Sequence, residues 1–164
     1  MPSLLWSAND RMFAVDVRRV IEVCPVVRAQ PLPSAPPWLL GLFDWHGELL
    51  PLLDAGVLTG GAAIEPRLGS RTLLIEAPAG ADAGAGVARF GLRVEQTIGL
   101  RALEPDGAWN PAGGLPGLPH LRDMCLAPEG RVQHFDCARL AHAHAALLLS
   151  GGTALAPVDR EASA

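Results

Sequence analysis

The stretch that decides the fold is Leu39-Leu40-Gly41-Leu42-Phe43-Asp44-Trp45-His46-Gly47-Glu48-Leu49-Leu50-Pro51-Leu52-Leu53-Asp54-Ala55-Gly56-Val57-Leu58. It reads as a strand, a tight turn, a second strand, and a short helix opened by an acid. Gly47 supplies the positive φ that a hairpin turn needs. Pro51 has no N–H to give to a ladder, so it marks an edge or an interrupted strand. Asp54 is placed to accept hydrogen bonds from the free N–H groups of the following turn. The pattern is that of a small β-barrel presenting a surface, with no catalytic constellation in it.

The remaining chain agrees with that reading. Hydrophobic residues make up 49% of the 164 residues and charged residues 18%, enough apolar material for one domain or two small subdomains sharing a core. The formal net charge of -4 argues against general affinity for nucleic acid or an anionic membrane. No signal-peptide pattern and no bilayer-length apolar run is present, so no direct membrane insertion is expected. Cys24, Cys125 and Cys137 are an odd, widely spaced set, which fits a reduced, cytoplasmic setting. The 18 glycines and 15 prolines are scattered between short apolar runs, which favours an all-β barrel or sandwich.

Strands are expected at Leu4 to Ser7, Met12 to Val17 (with Phe13, Val15 and Val17 inward), Val20 to Val27, Arg71 to Glu76, Phe90 to Glu95 and Ile98 to Leu103. A last hairpin runs from Met124 to Phe135 across Pro128-Glu129-Gly130. Asp136 then caps one long helix, Cys137 to Leu149, stopped by Gly151-Gly152. The domain spans 1–152, and 153–164 is a flexible tail. Glu104 to Pro119 is a long loop rich in proline and glycine. Gly47 through Leu58 and Gly130 through Leu140 share one grammar: glycine, apolar strand, aspartate, short helix. A pair of similar small barrels produces such an echo.

In order and spacing, several segments resemble the chemotaxis coupling-protein (CheW-like) family. They are Phe13-Ala14-Val15-Asp16-Val17, Val20-Ile21-Glu22-Val23, Leu32-Pro33, Leu40-Gly41-Leu42, Gly47 to Asp54, Thr72-Leu73-Leu74-Ile75 and Phe90 to Glu95. The resemblance implies a mostly β fold: two small SH3-like five-stranded β-barrels sharing a core, with a C-terminal helix. It implies a non-enzymatic scaffold joining the cytoplasmic tip of a methyl-accepting chemoreceptor to the regulatory domain of a histidine kinase. The chain departs from the family at the hairpin turn, where the usual Asn-x-Arg-Gly is Asp44-Trp45-His46-Gly47. An always-charged guanidinium has become an imidazole, mostly neutral at pH 7. The family's Val-Asp is Val94-Glu95 here, and Ala55-Gly56 stands where it has Leu-Arg. Such divergence suits an alternative, Wsp-like chemosensory array.

A helical receptor tip binds in a groove with an apolar floor and a polar rim. Candidate partner-binding residues are therefore Val20, Leu42 and Val94 as lining, Glu22 as an orienting charge, and Trp45, His46 and Gly47 at the hairpin tip. Trp45 has the character of an interface hot spot. Core packing is expected through Val15, Val23, Leu50, Leu73, Ile75 and Leu92, with Leu140 and Leu147 on one buried helix stripe. The competing class is a metal- or small-molecule-binding β-barrel. Against it, no C-x-x-C or H-E-x-x-H spacing occurs, and His142 and His144 point to different helix faces. No cofactor is implied, and no G-x-S-x-G or P-loop points to an enzyme.

Overall fold

The computed structural model describes residues 1–107, 109 and 115–149. Its strands are β1 (Pro2–Ala8), β2 (Arg11–Asp16), β3 (Val20–Pro25), β4 (Leu39–Trp45), β5 (Glu48–Asp54), β6 (Arg71–Pro78), β7 (Val87–Val94), β8 (Gln96–Ala102), β9 (Leu121–Ala127) and β10 (Gly130–Phe135). Helix α1 (Ala55–Leu58) follows β5, and α2 (Cys137–Ala143) follows β10. The tail from 153, the Gly151-Gly152 stop and parts of the 104–119 loop lie outside the described residues.

In the β4–β5 hairpin, Trp45 pairs with Glu48 across the two-residue turn His46-Gly47. Both turn residues have positive φ, 51° and 86°, the pattern of a type I′ turn that matches strand twist. Asp44 Oδ1 accepts the Gly47 N–H at 2.7 Å and fixes the turn. Pro51 lies inside β5, and the ladder to β7 starts one residue later, at Leu52. The missing N–H therefore falls where β5 is not yet paired with β7.

The strands form two five-stranded sheets, β8-β1-β2-β10-β9 and β3-β6-β7-β5-β4. Each has one parallel pair, β2 with β10 and β5 with β7, and is otherwise antiparallel. Superposing the two orders maps β3, β4, β5, β6 and β7 onto β8, β9, β10, β1 and β2. The second sheet is therefore built from a contiguous segment. The first is the same unit circularly permuted, begun by β1–β2 and completed by β8–β10.

The equivalence reaches individual bonds. Gln30, after β3, closes onto Leu42 of β4 with two backbone bonds of 2.8 and 3.0 Å. Pro105, after β8, bridges to Cys125 of β9. Gly41 makes the first closure possible. Its φ is 142°, and a Cβ there would stand 2.0 Å from Gln30 O.

Asp54 and Asp136 occupy matching places. The Asp54 N–H donates to Trp38 O at 2.8 Å and the Asp136 N–H to His120 O at 2.7 Å, each acceptor being the residue before the hairpin. Each carboxylate then caps a helix, accepting from Val57 N and Arg139 N respectively, both at 3.1 Å. Asp54 is fully buried and also accepts from Ile64 N at 3.0 Å. The echo in the sequence is thus a structural repeat.

The two barrels are locked together at these helices, although α1 itself stays against β5 and β7 of its own barrel. At the end of α1, Leu58 O accepts from His120 Nε2 and Thr59 O from Arg11 Nη2, both at 2.5 Å. These are carbonyls that a helix C-terminus leaves unpaired. In return α2 packs on β6, and its His142 Nδ1 meets Ala79 O at 3.0 Å beside the β6–β7 turn. One apolar core runs through both units. Trp6 stacks on Phe13 with ring centroids 4.8 Å apart, meets Phe135 edge-on, and continues to Leu53, Leu73, Ile75, Phe90 and Leu92.

Several expectations need correction. Val15, Leu73, Ile75 and Leu92 do belong to the shared core, but Leu50 sits in a separate cluster with Phe43, Leu52 and Leu74. Val23 is 44% exposed, because β3 is an edge strand with little of its surface covered. Val17 leaves the strand for a short 3-10 turn, while Asp16 is buried and caps that turn through Arg18 N. The expected long helix breaks at His144 and resumes as a helical turn over 145–149. The break rotates the stripe, so Leu148 is buried and Leu147 only half-buried.

Three outcomes follow. Asp54→Ala should cost about 2–3 kcal/mol, because a cap is lost and buried N–H groups are left bare, while the half-exposed Asp136→Ala should cost about 1. Urea unfolding measures both, and equal losses would contradict the difference in burial. Leu148→Ala should cost about 2–4 kcal/mol, and Leu147→Ala clearly less. Burial holds His120 and His134 below the ordinary histidine range, so the folded state favours their neutral forms. That stability is complete above the unfolded-state value of about 6.5 and is lost as pH falls toward the depressed values. Melting temperature should therefore drop between about pH 7.5 and 5.5, and His120→Gln should flatten the slope.

Candidate partner-binding face

Strand β3 begins with Val20, which is partly buried against the shared core. Its register with β6 slips between Val20 and Glu22, which puts Ile21 outside the ladder. Ile21 and Val23 are each 44% exposed, and Val26 just beyond is 36% exposed. Three exposed apolar side chains within six residues of one edge segment form a patch of the kind that marks contact sites.

The tip of the β4–β5 hairpin lies against this strand. The Trp45 indole Nε1 donates to Glu22 Oε2 at 3.2 Å. Trp45 is itself half-buried, packed on the Phe43, Leu50, Leu52 and Leu74 cluster. The indole thus bridges its own barrel and the β3 surface. His46 is exposed, with its ring edge-on to Trp45 at 4.9 Å between centroids. Gly47 is exposed at the turn, and nothing would touch a Cβ there, so its backbone conformation, and not space, calls for glycine.

The structure brings Glu22, Trp45, His46 and Gly47 together, while Val20 lies against the shared core. It does not bring Leu42 or Val94 there. Leu42 is 6% exposed and held by the Gln30 closure, and Val94 is fully buried in the shared core. Neither offers surface to a partner, because alternation in a closed barrel points both inward. Ile21, Val23 and Val26 are the residues that sequence reasoning missed. The signal was there: an apolar run followed by Pro25, in a segment ending in several prolines, fits an edge strand.

Beside the face, Val26, Val27, Leu40 and Pro66 line an open cleft of about 510 Å³ together with Arg28 and Arg93. Elsewhere on this barrel, Arg89 pairs with Glu76 at 2.8 Å and Glu48 at 3.3 Å, a surface network across three strands. Among the described residues no three His, Cys, Asp or Glu side chains are placed to hold a metal ion. Cys125 and Cys137 are buried and Cys24 half-buried, and burial pushes all three thiols up. No described helix is long and apolar enough to cross a membrane.

A family model described as the CheW-like domain matches residues 2–144. The chain is 32% identical over 63 residues to the chemotaxis protein CheW of Rhizobium meliloti (strain 1021). That match takes in 38% of this chain and only 41% of the relative. The fold is similar to that of the scaffolding protein TtCheW from Thermoanaerobacter tengcongensis, with a TM-score of 0.64 at 15% identity over 82% of this chain and 88% of that one. Two five-stranded barrels, and a family match over nearly every described residue, make this chain a member of the CheW-like family.

Proposed function

We propose that this protein is a non-enzymatic adaptor, coupling the cytoplasmic tip of a chemoreceptor to the regulatory domain of a histidine kinase. The observation that carries the reading is the exposed β3 edge, with Ile21, Val23 and Val26 beside the Glu22–Trp45 pair. An apolar patch on a rigid barrel, oriented by one fixed charge, suits docking of another protein and offers no chemistry for turnover. The family membership supports the coupling role. The altered hairpin tip supports service in an alternative, Wsp-like array over a flagellar one.

Trp45 takes up Glu22 with its indole N–H. The family's turn arginine is absent, and the imidazole of His46 lacks the bidentate fork with which a guanidinium holds a carboxylate. The adaptor therefore contacts its partner through Trp45 and the β3 aliphatics, with His46 contributing little.

The test is calorimetric titration of the purified protein with chemoreceptor cytoplasmic hairpins and histidine kinase regulatory domains from the same organism. Binding to at least one is expected. Val23→Asp should abolish it, and Trp45→Ala should weaken it by about 1–2 kcal/mol, while both variants keep their fold. His46→Ala should change affinity little, and binding should vary weakly between about pH 6 and 8. Absence of binding to either partner at high micromolar concentration would remove the reading. Loss of stability without loss of affinity in Trp45→Ala would assign that residue to the barrel alone.

A further inference from the structure

The cleft beside β3 has an unusual charge balance. Its lining contains two arginines, Arg28 and Arg93, and no carboxylate, in a chain whose net charge is -4. Arg28 is exposed at the rim and Arg93 half-buried in the wall. Arg93 stands on β7, level with Asp54 across the parallel ladder to β5. Asp54 does not form a hydrogen-bonded pair with it, because the carboxylate is spent on Val57 N and Ile64 N. Arg93 Nη2 donates to Val27 O at 3.1 Å, and its buried Nε–H has no acceptor among the described residues.

A guanidinium has five N–H donors and stays charged, so a half-buried one with a single hydrogen bond is costly unless an anion completes it. Burial pulls the Arg93 pKa below the ordinary arginine value, and the attraction of Asp54 only partly opposes this. The rest of the lining, Val26, Val27, Ala29, Leu40 and Pro66, is apolar. A short aliphatic stem ending in a planar carboxylate matches both parts. The stem covers the apolar wall, and the two oxygens accept from the arginines in the bidentate geometry that a guanidinium favours.

We propose that this cleft receives a glutamate side chain from the partner protein that docks on the β3 face. The inference rests on the coupling role and adds the chemistry of its anchor. The cleft is continuous with the face through Val26, which belongs to both. The docking segment therefore carries an apolar strip for Ile21 and Val23 and one acidic residue beside it. The surface is selective by charge, since a basic residue at the same place would meet two arginines and no counter-charge.

Two measurements test this. In the first, nitrogen-15 spectra follow the Arg93 Nε–Hε resonance while N-acetylglutamate, N-acetylglutamine or inorganic phosphate is added. A saturable shift with N-acetylglutamate and none with its neutral isostere is expected. No response to N-acetylglutamate, an equal response to N-acetylglutamine, or tighter binding of phosphate would overturn the assignment. In the second, a chemoreceptor cytoplasmic hairpin from the same organism is titrated into the wild type, Arg93→Gln, Arg28→Gln and Arg93→Lys. Each glutamine variant should weaken binding about tenfold or more, with the salt dependence reduced, and lysine at 93 should recover part of the loss. Arg28 is exposed, so Arg28→Gln probes the cleft without disturbing the fold. Unchanged affinity in both glutamine variants, with the wild type binding, would sink the anchor and leave the coupling role standing. If the wild type binds neither the receptor hairpin nor the kinase regulatory domain, the coupling role fails, and the spectra with N-acetylglutamate still decide whether the cleft takes a carboxylate.

Discussion

The structure depends on what happens at two aspartates. At Asp54 and Asp136 a strand ends, the backbone N–H ties to the residue before the hairpin, and the carboxylate starts a helix. Asp136 thereby sends α2 onto the other barrel, while the helix after Asp54 stays against β5 and β7 and offers its terminal carbonyls across to His120 and Arg11. A five-stranded barrel of this size buries a modest core by itself. The crossing of α2 and the contacts made by the end of α1 join two such cores into one, running from Trp6 through Phe135 to Leu92. The half-buried Asp136 and the fully buried Asp54 perform the same geometric task in different dielectric surroundings, and so contribute differently to stability.

Much of this arrangement was legible in the residues. The His46-Gly47 turn, the capping aspartates and the period-2 strands each carry a local signal, because turn chemistry and side-chain alternation act over a few residues. The repeat Gly47 to Leu58 against Gly130 to Leu140 correctly announced two barrels. Other features depend on contacts distant in sequence. Val23 has the composition of a core strand residue, and only its place at the sheet edge exposes it. Leu42 and Val94 look like groove-lining residues until barrel closure turns them inward. The break at His144 shifts the buried position from Leu147 to Leu148, and nothing in the spacing marks it. The arginine pair at the cleft comes from positions 28 and 93, which meet only because β7 pairs with β5 and the segment after β3 folds over them.

The surface assembled this way separates two tasks. The hairpin tip uses Trp45 to hold Glu22, so the one acidic group on the β3 face is oriented within the free protein. A pre-oriented group loses less freedom on association than a mobile one. In the proposed coupling role the exposed aliphatic side chains of the β3 segment would give contact area, and the arginines of the cleft would set the sign of charge that a partner must bring. Where the family's usual turn carries an arginine, this chain places its free cationic groups some distance away, in the cleft wall.

The circular permutation of the first barrel has a kinetic consequence. All five strands of the second barrel lie between residues 20 and 94, so that unit can form as soon as its segment has left the ribosome. The first barrel cannot, because β2 must pair with β10 from the far end of the chain. An isolated two-stranded hairpin is marginal in water. The β1–β2 hairpin therefore spends most of the synthesis time with Trp6 and Phe13 uncovered, side chains that are fully enclosed in the finished protein. The thermodynamic cost of the long closure is small, since loop entropy grows only logarithmically with length. The delay itself is the exposed interval: the amino-terminal aromatics stay open to chaperones and to other nascent chains until β10 arrives.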